Sequence, residues 1–518
     1  MRRLFVAQPF SGLVAQRFGG LVAQRFGGLV AQRFGGLVAQ RFSAAMTLVM
    51  AVGISVIAQQ APDRSHPPQP GPPSALRLPT IQKQKLSNGL PVWIVELHAV
   101  PVAQVNLVVF SGTANDPPGK YGAASLAAAM LEEGAGSRSA LEIADAIDYL
   151  GADLGTTSSS DASAVRLHVP VARLADALPI MADVALRPTF PKDELDRQRQ
   201  QRLTSLLQGR DDPPTIAAVA FSRILYGKGH RYGTPQMGTA ETIKTFTSED
   251  LRGFYTSAFR PERAVLLAVG DITADKVMPL FEKSFGAWKA SGAAASEKLP
   301  ATEEPPTRQI YLVDKPGAPQ SQIRIGRIGV ARSTADYFPI QVMNTVLGGS
   351  FTSRLNNNLR EVHGYAYGAS SSFDMRGEAG PFFAAAGVQT DKTSEALKEF
   401  FNELNAILKP VPPDELARAK NYVSLRFPSA FETTGDVSRR LEDALVYKLQ
   451  DDYFAKYVQN IQAITGADVQ RVAQKYIKPD HLAVVVVGDL KAIESGVRAL
   501  NLGPVTVMTI DEVFGPKP

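Results

Sequence analysis

Six histidines and no cysteine bound the chemistry open to this chain. The histidines are His66, His98, His168, His230, His363 and His481, and no two lie within four residues of each other. No helix therefore presents a histidine pair to a metal, and thiolate nucleophiles, disulfides and cysteine-based metal sites are excluded. Neither a G-x-S-x-G elbow nor a Walker loop occurs. The adjacent carboxylates Glu132-Glu133 and Asp211-Asp212 diverge on a helix surface and read as solvated termini. One constellation is positive. LNNNLREVHGYAYGASSSF places Arg360 seven residues before Tyr367, with Gly364 breaking the helix between them. An arginine fork and a phenol beside a loop suit a peptide carbonyl or carboxylate.

The chain that must position these residues has 518 residues, too many for one core, and the composition of a globular protein: 45% hydrophobic and 20% charged. Its formal charge of +5 is local to one end. Arg2, Arg3, Arg17, Arg25, Arg33 and Arg41 all precede the first acidic residue, Asp63. Without those six, 49 basic side chains face 50 acidic ones, so the body carries no electrostatic footprint for nucleic acid.

Residues 1–58 do not read as fold. Between 12 and 42 the octamer GLVAQRFG recurs, with LVAQRF starting at Leu13, Leu21, Leu29 and Leu37. A period of 8 fits neither a helix nor a solenoid. The uncharged run AAMTLVMAVGISVIA (Ala44 to Ala58) then has signal-peptide length, with Val56 and Ala58 at the −3 and −1 places of a cleavage site. Export to the periplasm or cell envelope is the expectation, with Met46 as an alternative start. An organelle presequence is the other reading of this arginine-bearing, acid-free stretch, and an uncleaved segment would tether the chain to a membrane. Residues 59–77, with HPPQPGPPS at their centre, form a stiff proline-rich linker.

From residue 78 the chain alternates strand and helix signals, and it does so twice. FRPERAVLLAVGDI (Phe259 to Ile272) matches IKPDHLAVVVVGDL at a shift of 218, and PKDELDR (from Pro191) matches PPDELAR at a shift of 221. Two motifs at nearly one offset indicate a tandem duplication. The expected architecture is α+β: a first domain at 78–290, a linker at 291–307, a second domain at 308–510 and a tail at 511–518. Each domain is a mostly antiparallel sheet covered by helices, and the two halves, hinged by the linker, enclose a cleft.

One helix in the first half is unusually blank. GKYGAASLAAAMLEEGAGS is built from good helix formers, and Leu126, Met130 and Leu131 can face a core. The face through Ser125, Ala128 and Ala129 carries no chemistry.

Together these features resemble the insulinase/pitrilysin-type metallopeptidases, over about residues 80 to 510. The resemblance rests on LSNGLPVWI, on SGTANDPPGKYGAASLAAAMLEEGAGS, on HRYG, on FRPERAVLLAVGDI and above all on GGSFTSRLNNNLREVHGYAYGASSSF. It implies the family's two-domain clamshell fold. In active members the blank helix bears His-x-x-Glu-His, two zinc ligands and the glutamate that activates water, and those places fall here on Ser125, Ala128 and Ala129. The third ligand is a glutamate on a later helix, yet Arg197 to Arg210 (RQRQQRLTSLLQGR) has neither an acidic residue nor a histidine. The resemblance thus implies a chain without its own zinc or catalytic residue. The family's substrate-holding Arg and Tyr match Arg360 and Tyr367. Heteromeric members such as mitochondrial processing peptidase divide labour in this way, so a homologous zinc-bearing subunit is the implied partner. The leading expectation is a non-catalytic subunit that clamps an extended peptide by strand addition and hydrogen bonds. The alternatives are a stand-alone homodimeric peptide-binding scaffold, and an enzyme with ligands not apparent in the sequence.

Overall fold

The computed structural model describes residues 80–292 and 307–517, with 294, 299, 300 and 302 between them. The octamers, the apolar run at 44–58, the whole proline-rich linker and most of the inter-domain linker lie outside the described residues.

Each half contributes one six-stranded sheet. In the first half the strands are β1 (Gln82–Lys85), β2 (Pro91–Glu96), β3 (Val102–Val109), β6 (Asp153–Ser158), β7 (Ser163–Pro170) and β8 (Ala264–Gly270), in the order β1-β2-β8-β3-β7-β6. A small ribbon, β4 (Gly134–Ala135) with β5 (Arg138–Ser139), lies outside that sheet. The second half has β9 (Gln309–Asp314), β10 (Gln320–Ile328), β11 (Ala366–Phe373), β12 (Pro381–Gln389), β13 (Ala483–Gly488) and β14 (Val505–Met508). Their order, β14-β9-β13-β10-β12-β11, reproduces the first sheet place for place. β8 and β13, the strands of the repeated VGD motif, both lie third. Only β2–β8, β9–β13 and β9–β14 are parallel pairs, so both sheets are mostly antiparallel. The outermost strand differs: β1 runs antiparallel to β2, whereas β14 runs parallel to β9.

The runs AVLLAVG and AVVVVG in β8 and β13 have no polar alternation because both faces of each strand are covered. Along β8, Leu266 and Ala268 enter the first half's own core, while Leu267 and Val269 join the second half's core beside Val437 and Leu441. Along β13, Val484 and Val486 face the second half's core. Val485 and Val487 instead meet Ile216, Ala220 and Phe221 of the first half. Each half thus lends a helix to the other's sheet: Pro213–Tyr226 covers β13 and β10, and Thr434–Val446 covers β8 and β3. The sheet approaches the lent helix closely at Gly326, where a Cβ would lie 2.8 Å from Phe221 Cζ and 2.0 Å from the Phe382 carbonyl oxygen.

A polar clamp pins the same exchange. Glu442, on the lent helix, accepts from Arg166 Nε (2.9 Å), Arg166 Nη2 (2.6 Å) and Asn106 Nδ2 (2.5 Å). All described residues fall within one compact unit, Pro73–Pro518. A free hinge at the linker does not describe this arrangement, because each half's sheet is finished by a helix of the other.

Candidate functional site

The alanine helix spans Ala123–Met130 and begins at Gly122, whose φ is +98°. Glycine is required there twice over: for that φ, and because a Cβ would lie 2.6 Å from the Met237 carbonyl oxygen. The first turn is capped from a distance. Asp116 accepts from the Gly122 amide (2.7 Å) and the Ala124 amide (2.8 Å), satisfying two of the donors a helix start leaves open. Burial pushes the Asp116 carboxyl up to about 7, against those two amides and the charges of Arg231 and Arg202. Leu126, Met130 and Leu131 are fully buried in the first half's core, as their spacing predicts.

The opposite face is small but occupied. Arg202, from the helix Lys192–Gly209, reaches across to it. Its Nη1 donates to Ser125 Oγ (3.1 Å) and the Met237 carbonyl (3.3 Å), and its Nη2 donates to the Ser125 carbonyl (2.9 Å). Burial lowers this guanidinium to about 10, with Asp116 acting in the opposite sense, so it remains a cation at neutral pH. Ala128 is buried, and its carbonyl accepts from Thr156 Oγ1 of β6 (2.7 Å).

One turn further on, Glu132 and Glu133 correct the expectation of solvated termini. Glu133 is 9% exposed and is held by Arg197 Nη2 and Gln198 Nε2, each at 2.5 Å. Glu132 is half-buried; desolvation raises its carboxyl, opposed by hydrogen bonds from Thr156. Asp212 N-caps the helix Pro213–Tyr226 through the Thr215 amide (3.0 Å), and Asp211 pairs with Lys315 (2.8 Å).

A family zinc ion does not fit these residues. Ser125 offers a weakly donating hydroxyl, the Ala128 and Ala129 side chains offer no lone pair, and the side chain that reaches Ser125 is a guanidinium that only donates. Among the described residues no three His, Cys, Asp or Glu side chains gather closely enough to share a metal. His230 and His98 have ordinary partners. His230 is buried, stacks on Tyr226 (centroids 5.2 Å apart) and accepts from the Tyr232 amide, whereas His98 pairs at the surface with Asp271 and Glu96.

Arg360 and Tyr367 are brought together. Arg360 lies in a π-helical turn, Asn357–Val362, that continues the short helix Arg354–Asn356; Gly364, at φ +65°, turns the chain into β11. This turn is anchored by Arg354 on Glu415 (2.8 and 2.6 Å) and by Asn358 on Glu399 and Glu403. The Arg360 guanidinium lies between two rings, 4.7 Å from the Phe351 centroid and 5.1 Å from that of Tyr367. Tyr367 is 87% exposed and Phe351 61%. Beside them Gly348, Gly349, Ser370 and Tyr422 help line an open cavity of about 420 Å³. Gly348 ends the preceding helix (Tyr337–Leu347) and packs closely against the backbone of β11. β11 is the edge of its sheet, yet its Ala369 and Ser371 amides already donate to Asn356 Oδ1 and the Gly348 carbonyl (both 3.1 Å).

Asp116 and Arg202 were not singled out by sequence reasoning. The one available signal for Arg202 was its place in the acid-free stretch where a third ligand was expected.

Comparison with known proteins places this geometry in context. Residues 92–227 match the family profile described as Insulinase (Peptidase family M16), and residues 245–423 match the one described as Peptidase M16 inactive domain. An uncharacterized zinc protease of Streptomyces coelicolor is 27% identical over 80% of this chain and 90% of its own length. One from Bacillus subtilis is 25% identical over 76% and 97%. Among solved structures, a peptidase M16 inactive domain from Pseudomonas fluorescens superimposes with a TM-score of 0.73 at 26% identity, covering 79% of this chain and 98% of that one. A Helicobacter pylori protease shares the fold, with a TM-score of 0.72 at 23% identity over 79% and 100%.

Proposed function

Because the chain belongs to the insulinase-type (M16) peptidase family, we propose that it is the non-catalytic, substrate-binding subunit of an exported heteromeric zinc metallopeptidase that acts on peptides. One observation carries the reading. The Arg360/Tyr367 pair is built and anchored, with Tyr367 exposed and Arg360 half-buried, while the family's metal-binding face is reduced to Ser125, Ala128 and Ala129, the first of them held by the Arg202 guanidinium.

In this reading Arg360 donates its forked N–H groups to a peptide carbonyl or carboxylate, and the Tyr367 hydroxyl adds a second donor. The guanidinium lies within 5.1 Å of both ring centroids and pairs with Glu361 (3.2 Å), so a peptide acceptor would take up the N–H groups that this pairing leaves open. Main-chain pairing contributes less than strand addition would, because the Ala369 and Ser371 amides of β11 are already engaged. The partner is a homologous subunit bearing His-x-x-Glu-His, which supplies the zinc and the water-activating glutamate when the two associate. Export rests on the apolar run at 44–58. The alternative, a stand-alone homodimeric peptide-binding scaffold, is favoured by the fact that the Arg360/Tyr367 pair needs no metal to bind.

Fluorescence anisotropy with a library of unstructured peptides tests the binding role. Loss of a charged hydrogen bond contributes about 1.5–3 kcal/mol, so Arg360→Ala should weaken binding by roughly 10- to 100-fold. Equal affinity of parent and variant would remove Arg360 from the site.

A further inference from the structure

The tie between the alanine helix and the helix Lys192–Gly209 is made at Ser125, and the group that makes it is a cation. Arg202 spans the gap with three hydrogen bonds, two of them to Ser125 itself. Asp116, which lies near this cation, also caps the alanine helix. We infer that Arg202 is an internal substitute for the metal: its guanidinium stands at the position that a zinc ion would take against residue 125, and it joins the same two helices.

Position, charge and donor chemistry each support this. Arg202 comes from the stretch in which the family's third ligand is expected, and it touches the first motif position directly. It brings a permanent positive charge to a buried place, which leaves no electrostatic room for a dication beside it. Its N–H groups point at Ser125 Oγ and the Ser125 carbonyl, so lone pairs that could turn toward a metal are already used. Loss of zinc chemistry in this chain is therefore more than the absence of ligands. A competing cation holds the place, and the helix-to-helix link survives without metal.

A consequence distinguishes this from simple decay of the motif. Restoring histidine and glutamate on the alanine helix is not enough to create a metal site while Arg202 remains. Arg202→Met removes the competing charge and adds no ligand, whereas Arg202→Glu also supplies a carboxylate from the helix that carried it. The inference concerns the metal position alone and stands whether or not the chain binds peptides.

The test uses three full-length variants: the threefold Ser125→His/Ala128→Glu/Ala129→His, the same three with Arg202→Met, and the fourfold variant, the same three with Arg202→Glu. Zinc stoichiometry after dialysis is read by elemental analysis, affinity by competition with a chromogenic chelator, and fold by far-UV circular dichroism. The fourfold variant is expected to hold one zinc per chain, and the Arg202→Met variant, which adds no ligand, to bind zinc roughly tenfold more tightly than the threefold variant with Arg202 intact. Equal zinc affinity of the Arg202→Met and threefold variants overturns the inference, as does a folded fourfold variant that takes up no zinc. Should the fourfold variant fold only with metal, refolding in zinc against refolding in magnesium gives the same reading: recovery specific to zinc supports the substitution, and failure in both overturns it.

Discussion

Glu442→Ala is the sharpest probe of how the two halves are joined. Its carboxylate is 9% exposed, and it alone connects the lent helix to Arg166 and Asn106 of the other half's sheet. Breaking a buried ion pair by removing one partner costs about 3–5 kcal/mol. Here the arginine end is 35% exposed and regains water, which argues for the low end of that range. Asn106, at 1% exposure, loses the acceptor of its Nδ2 and contributes to the same sum. We expect a loss of about 3 kcal/mol for Glu442→Ala and about 1 kcal/mol for Glu442→Gln, which retains an acceptor for Asn106. Urea unfolding of the full chain measures this with two independent signals. The chain has two tryptophans, Trp93 and Trp288, both in the first half, whereas far-UV circular dichroism reports both halves. If each sheet is completed by the other half's helix, the two transitions coincide and move together in the variant. A Glu442→Ala variant within about 0.5 kcal/mol of the parent, or a fluorescence transition that moves while the dichroism transition stays, would refute the interlocked arrangement.

Other perturbations address single features. Gly326→Ala should destabilise the chain by more than about 3 kcal/mol, since the new methyl meets the Phe382 carbonyl and the Phe221 ring; thermal unfolding within a degree of the parent would show that the seam can relax. Asp116 is raised in the folded state to about 7, so the stability it contributes is present below about pH 4 and is lost as pH rises to about 7. Asp116→Asn should flatten that part of the stability–pH curve, and an unchanged slope between the two proteins would mean that Asp116 is charged throughout. Tyr367→Ala should leave stability within about 0.5 kcal/mol, because the ring is 87% exposed, while weakening peptide binding; a large loss of stability would make Tyr367 a structural residue instead.

Much of the fold was legible because its signals are local. The β-branched runs at 264–270 and 483–488 read as strands, and their common offset revealed the duplication that the matched sheet orders display. What covers those strands was not legible. Pro213–Tyr226 and Thr434–Val446 show only that each helix has an apolar face, and nothing in a helical period says which sheet will receive it. The same limit governed the site. Arg360 and Tyr367 are seven residues apart across a glycine, so proximity followed from spacing. Arg202 and Ser125 are 77 residues apart, and Glu133 and Arg197 are 64 apart. Pairings of that range are made by tertiary packing, which is why Glu133 read as a solvated terminus and Arg202 was not singled out.

The proposed division of labour is tested most directly by a peptide hydrolysis assay with three samples: this chain alone, a His-x-x-Glu-His homologue from the same genome alone, and an equimolar mixture. The account predicts cleavage only in the mixture, and its loss when this chain carries Arg360→Ala in an assembly of unchanged size. Zinc-dependent hydrolysis by this chain alone would contradict it, and so would a homologue that cleaves equally well without it.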